Sequence, residues 1–144
     1  PTPEGISGQQ LLDAEKSIKN AANPATIVRL GGLVGGDRHP AKQLAGKINI
    51  PAPQAPTNLV HRKDVVRFLM AIIEEGHWGK TLHCVSPNHQ SRIDFYTEAS
   101  KRLNLPLPSF AKTASKRNKK VMDSRSAALF DFSYRLADCG VEGS

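Results

Sequence analysis

Ala25-Thr26-Ile27-Val28-Arg29-Leu30-Gly31-Gly32-Leu33-Val34-Gly35-Gly36-Asp37-Arg38-His39-Pro40 is the stretch whose reading decides the fold. The β-branched apolar run from Thr26 to Leu30 predicts a buried strand. It meets Gly31-Gly32, read as a turn where a backbone without Cβ atoms can come close to a ligand. The Gly-rich segment then ends on Arg38-His39-Pro40, with proline suited to the first turn of a helix. A second block, Asn58-Leu59-Val60-His61-Arg62-Lys63-Asp64-Val65-Val66-Arg67-Phe68-Leu69, repeats the plan. There a short apolar strand ends on a histidine, and Asp64 stands in the first turn of a helix, where its carboxylate is favoured by the free amides and the dipole.

Outward from these blocks, helices and strands alternate. Gln9 to about Asn20 has helical apolar spacing at Leu11, Leu12, Ala14, Ile18 and Ala22, and Asn23-Pro24 ends it. A short helix follows Pro40 and stops at Gly46. Between Ile48 and Thr57, Pro51, Pro53 and Pro56 break any long element, which predicts an extended connector. Asp64 to Glu75 is the clearest helix, with Val65, Val66, Phe68, Leu69, Ile72 and Ile73 giving a broad apolar face. Lys80 to Val85 reads as a strand, and Ser91-Arg92-Ile93-Asp94 as a capping box ahead of a helix from Ile93 to Leu103. Strands separated by helices point to an α/β fold with parallel strands, and there is no internal repeat.

Composition bounds the function. A chain of 144 residues, 39% hydrophobic and 23% charged, can bury one core. It has no apolar run of membrane-spanning length, and Pro-Thr-Pro-Glu-Gly at the start is neither a signal peptide nor a natural beginning, so a processed or truncated piece is expected. Cys84 and Cys139 follow no C-x-x-C spacing, which suits free thiols in a reducing compartment and a cytoplasmic location. The net charge of +7 is concentrated in Lys112, Lys116, Arg117, Lys119 and Lys120. No aromatic residue interleaves with these charges, so they read as a solvated loop and not as a dedicated nucleic-acid surface. A basic, noncatalytic module contacting nucleic acid or an acidic protein is the alternative to keep in view.

Three other chemistries fail on spacing. No register of Gly31-Gly32-Leu33-Val34-Gly35-Gly36 yields G-x-G-x-x-G, and no acidic residue closes a strand some twenty residues on. The histidines His39, His61, His77, His83 and His89 show neither i, i+4 spacing nor a cysteine pair, so no metal site is predicted. A nucleophile elbow is absent, and Cys84 within a strand reads as a small buried hydrophobe.

From about residue 5 to 135 the chain resembles the second half of the extended or atypical short-chain dehydrogenase/reductases, the NAD-dependent epimerase/dehydratase group with its nucleoside-diphosphate-sugar epimerase-like members. Ser7-Gly8-Gln9-Gln10-Leu11-Leu12-Asp13-Ala14-Glu15 fits that group's Tyr-Gly-x-x-Lys-Leu-x-x-Glu frame, with Ser7 at the tyrosine and Leu11 at the lysine. Gly35-Gly36-Asp37-Arg38-His39-Pro40 looks like its Tyr-Gly-Pro-Gly-Arg loop. Asn58-Leu59-Val60-His61-Arg62-Lys63-Asp64 is similar to its Arg-x-Phe-Ile-His-Val-x-Asp, and Leu82-His83-Cys84-Val85-Ser86 to its Tyr-Asn-Val-Ser, with Cys84 at the asparagine. Val121-Met122-Asp123-Ser124-Arg125 resembles its short terminal segment.

The resemblance implies that residues 1–35 are the last elements of a doubly wound Rossmann sheet and that 36–144 form a small, mixed substrate-binding region, with the strand at about 80–85 returning to the sheet. It implies no catalytic residue here, since neither Ser7 nor Leu11 can replace a phenol and the lysine that lowers its pKa. Gly31 and Gly32 would pass the nicotinamide end of NAD or NADP in the parent protein. Gly35, Arg38, Asn58 and His61 would face a nucleotide-sugar or other anionic small-molecule substrate, Arg38 through its planar fork and His61 either as a ligand-facing group or as part of the turn. The implied partner is the missing N-terminal Rossmann half, without which NAD(P) is not expected to bind tightly. Pairing between copies of the piece through its cut face is expected in its place.

Overall fold

The computed structural model describes residues 5–112, 120–121, 126, 128–129 and 131–136. Its elements are α1 (Ile6–Ala21), β1 (Ile27–Leu30), β2 (Gly32–Val34), α2 (Pro40–Leu44), β3 (Leu59–His61), α3 (Arg62–Glu75), β4 (Thr81–Cys84) and α4 (Arg92–Arg102). Two parallel pairs carry the architecture, β1 with β4 and β2 with β3. Each pair joins strands distant in sequence through helical crossovers, as parallel pairing requires.

Side chains alternate across a strand, so the register of β1 on β4 assigns its two faces. Val28, Leu82 and Cys84 share one face, and α3 lays Val65, Phe68 and Ile72 on it together with Val60 of β3. Burial of each such side chain contributes about 1.5–3 kcal/mol. Arg29 and Thr81 lie on the opposite face, where α1 is fastened by polar contacts. The Glu15 carboxylate accepts from Arg29 Nε at 2.8 Å and Nη2 at 2.6 Å, and Lys19 Nζ donates to Thr81 Oγ1 at 2.8 Å. No residue of α1 is buried, and Leu11 and Ile18 stay exposed. A smaller core of Val34, Leu59 and Phe95 joins the second pair to α4, and the His39 ring stacks on Phe95 at 6.1 Å.

The two edges of the β1–β4 pair differ. The Ile27 and Gly31 amides donate to Lys80 and Cys84 carbonyls across the pair, so alternation turns those of Val28 and Leu30 outward, where no described strand covers them. On the far edge, His83 N–H donates to Ser126 Oγ at 2.8 Å and Val85 N–H to Tyr134 Oη at 3.1 Å. The segment carrying Tyr134 is held in turn by Asp64. That carboxylate is 1% exposed and accepts from Arg67 Nη1, Arg135 N–H and Leu136 N–H at 2.8, 3.2 and 2.9 Å. Phe132 meets Phe68 edge-on and lies beneath the Arg67 guanidinium.

Several boundaries differ from the sequence reading, each for a visible reason. Gly32 is not in a turn: Gly32–Val34 is a strand, reached because Gly31 has no Cβ to meet the Asn58 carbonyl, which would lie 2.9 Å away. Helix α3 starts two residues before Asp64 because the His61 ring accepts from Lys63 N–H and caps it. The proline-broken connector has order of its own, pinned by single bridges from Ile50 to Phe110 and from Pro56 to Ser91. Lys112 and Lys120 are exposed. Lys116, Arg117, Lys119, Met122 to Arg125 and Cys139 lie outside the described residues.

Candidate functional site

The predicted site residues fall into two groups at successive strand ends. Gly31, Gly32 and Asn58 meet where β1 and β4 finish: Gly31 N–H donates to the Cys84 carbonyl at 3.0 Å, Gly32 N–H to the Asn58 carbonyl at 2.8 Å, and Ser86 N–H to the Leu59 carbonyl at 2.8 Å. Gly35, Arg38 and His61 gather at the carboxyl ends of β2 and β3. His61 lies three positions along the strand from Asn58, a rise of about 10 Å. The carboxyl ends of parallel strands are where open α/β sheets bind ligands.

In the first group the missing Cβ atoms are explained by the chain itself. A Cβ on Gly31 would meet the backbone of Asn58, and one on Gly32 would stand 2.9 Å from Leu59 Cδ2. The close approach expected toward a cofactor is made by β3. The Asn58 side chain is also engaged, its Oδ1 accepting from Val121 N–H at 3.0 Å. With these spaces filled by β3 and its flank, Gly31 and Gly32 offer no open cradle for a cofactor in this structure.

The second group is more open. Gly35 and Gly36 have φ of 125° and 61°, and Gly35 N–H closes the turn on the Arg38 carbonyl at 3.1 Å. The His61 ring, 6% exposed, packs under Gly35, where a Cβ would come within 2.7 Å of Nε2. Arg62 lays its guanidinium over Gly36, with Nη1 2.7 Å from a Cβ there. Arg38 is exposed, and among the described residues neither arginine joins an ion pair. The turn thus sets the Arg62 guanidinium beside glycine backbone and carries Arg38 exposed at its end, two cationic forks able to make charge-assisted hydrogen bonds to an anion. His39, which accepts from Ala41 N–H at 3.2 Å, serves as the cap of α2.

Two features escaped the sequence reading. Arg62 occupied an unremarked position between a histidine and a helix, and only the fold over Gly36 brings it to the site. Glu15 stood in the matching frame, but its partner Arg29 could not be read from spacing. The fork of Arg29 holds the Glu15 carboxyl below the usual carboxylate range, and Glu15 raises Arg29 in return. Burial pushes the Tyr96 phenol up.

This is the fold of the C-terminal part of the Rossmann-type NAD-dependent epimerase/dehydratase and short-chain dehydrogenase/reductase structures. The chain is 31% identical over 138 residues to Protein YeeZ of Escherichia coli strain K12, covering 94% of this chain and 50% of that protein. A functionally unknown conserved protein from Silicibacter pomeroyi superposes with a TM-score of 0.77 at 22% identity, over 96% of this chain and 55% of the other. RMD from Pseudomonas aeruginosa, solved with NADPH, does so with a TM-score of 0.74 at 11% identity, over 97% and 54%. Other structures sharing the fold are a 4-epimerase, a 4,6-dehydratase and a reductase. The chain spans about half the length of the relatives it matches. No family model matches it.

Proposed function

We propose that this chain forms the substrate-side wall of an NAD(P)-dependent epimerase/dehydratase-like cleft, completed by a dinucleotide-binding half docked along the open edge of β1. The observation that carries this reading is the Gly35–Arg38 turn, with Arg38 and Arg62 at the carboxyl ends of two parallel strands. Its substrate is an anionic small molecule, nucleotide-linked by analogy with the neighbours. Arg38 grips the anion, the positive-φ Gly35 and Gly36 let the turn close over His61 and Arg62, and His61 and Asn58 hold the surrounding strands. NAD or NADP, when bound to the other half, would supply hydride transfer. With no tyrosine–lysine pair, this chain binds and orients.

The test joins this chain to the half of Protein YeeZ that it does not match and titrates anionic nucleotides and nucleotide-sugars by calorimetry. Arg38→Ala should weaken binding by about 1.5–3 kcal/mol, as expected for a lost charge-assisted contact. Neutralising Lys116, Arg117, Lys119 and Lys120 together should change it little. Binding that survives Arg38→Ala and fails in the lysine variant would place the site elsewhere and favour the basic-module alternative.

A further inference from the structure

The amino ends of β1 and β4, the opposite end of those strands from the group at Gly31 and Asn58, carry a second cluster of polar side chains. Helix α3 stops at Gly76, and the chain turns through His77 and Gly79 into β4. His77 is pinned at both ends of its backbone: its N–H donates to the Ile72 carbonyl at 3.0 Å, and its carbonyl accepts from Thr26 Oγ1 at 3.0 Å. Its side chain, 16% exposed, lies between two charged groups, with Nε2 3.1 Å from Glu75 Oε2 and Nδ1 3.0 Å from Lys80 Nζ. A carboxylate only accepts and an ammonium only donates, so the ring proton sits on Nε2 and Nδ1 offers its lone pair to Lys80. An amine against an imidazole that a carboxylate orients is the arrangement of an activated nucleophile.

Lys16, Lys19 and Lys42 have no such acceptor. Lys19 and Lys42 donate to the Thr81 hydroxyl and the Asp37 carbonyl, and Lys16 faces the Asp13 carboxylate at 3.9 Å. None of those partners carries a proton away near neutral pH, which an imidazole does. We propose that Lys80 is an acylation site, modified by a small acyl phosphate. Nζ passes one proton to His77 Nδ1, and the imidazolium so formed stays paired with Glu75. The free amine attacks the acyl carbon. The new C–N bond forms as the bond from that carbon to the phosphate oxygen breaks, and inorganic phosphate leaves with the second amine proton. His77 then returns its proton to water. Lys80 is half-buried, which favours a donor as compact as an acyl phosphate over a bulky thioester. It heads β4, across the pair from the open edge of β1, so the site goes beyond the proposed cleft and does not depend on it.

Acetyl phosphate and the full chain at neutral pH test this, with acetylation at each lysine followed by peptide mass spectrometry. Lys80 should react roughly ten-fold faster than Lys16 and Lys42, since a positioned base supplies about 10²-fold or more and partial burial takes some of it back. His77→Gln keeps an acceptor for Lys80 but takes no proton, and should bring Lys80 down to the rate of the other two with unchanged circular dichroism. Should that variant lose structure, Glu75→Gln at an exposed carboxylate decides instead, and it should slow Lys80 while leaving Lys16 and Lys42 alone. A Lys80 rate no greater than theirs would overturn the proposal. So would an advantage that survives His77→Gln or Glu75→Gln undiminished, because accessibility and not the base would then explain it.

Discussion

Asp64 shows how much one residue can carry beyond what its position announces. In the sequence it is an acidic residue in a first helical turn, worth the modest energy of a carboxylate near free amides. In the fold it also accepts two backbone amides from residues 135 and 136 and a guanidinium from Arg67. Asp64→Ala would leave Arg67 half-buried without its carboxylate and two amides without their acceptor. The expected loss is about 3–5 kcal/mol in urea unfolding, in the range for breaking a buried ion pair. Asp64→Asn keeps one acceptor oxygen and should lose less; equal losses would show that the amide contacts contribute nothing. Such a role is illegible in advance because the two amides it accepts lie more than seventy residues away, and no local spacing encodes them. Gly31 is similar, since its paired glycine was visible but the carbonyl that demands it belongs to another strand.

At the scale of elements the sequence was read more securely, because periodicity and caps are local. The helices around residues 6–21, 62–75 and 92–102 and the strands near 27–30 and 81–84 follow from apolar period, Ser91 and proline stops. Strand β2 did not, since three residues that include a glycine carry no period and their strand state is imposed by β3. The attachment of α1 is likewise tertiary. With no buried residue, it leans on the Glu15–Arg29 fork. Because Arg29 lowers the Glu15 pKa from 4.5, the stabilisation is whole above that value and is lost as pH falls through the lower folded one. Glu15→Gln should therefore reduce stability by about 0.5–1 kcal/mol at neutral pH, with the difference from the parent chain vanishing in acid. Parallel urea titrations at neutral and acid pH would check this, and a pH-independent difference would remove the ion pair from the account.

Among the described residues the sheet edges are asymmetric: two side-chain hydroxyls finish one side, and the other leaves the amides of half-exposed Val28 and Leu30 uncovered. Strand addition to a parallel sheet is a polymerisation with two kinds of end. A copy that joined the bare side would arrive presenting its own finished side, so head-to-tail growth stops at the step where a fibre would begin. Ser126 and Tyr134 are in this sense chain terminators. Replacing them together by Ala and Phe should cost about 1 kcal/mol for each hydrogen bond lost. It should also turn a chain that stays in small assemblies into one that elongates, seen as length-dependent light scattering and thioflavin binding. If the doubly substituted chain is weaker but no more prone to elongate, the hydroxyls stabilise the fold without guarding it.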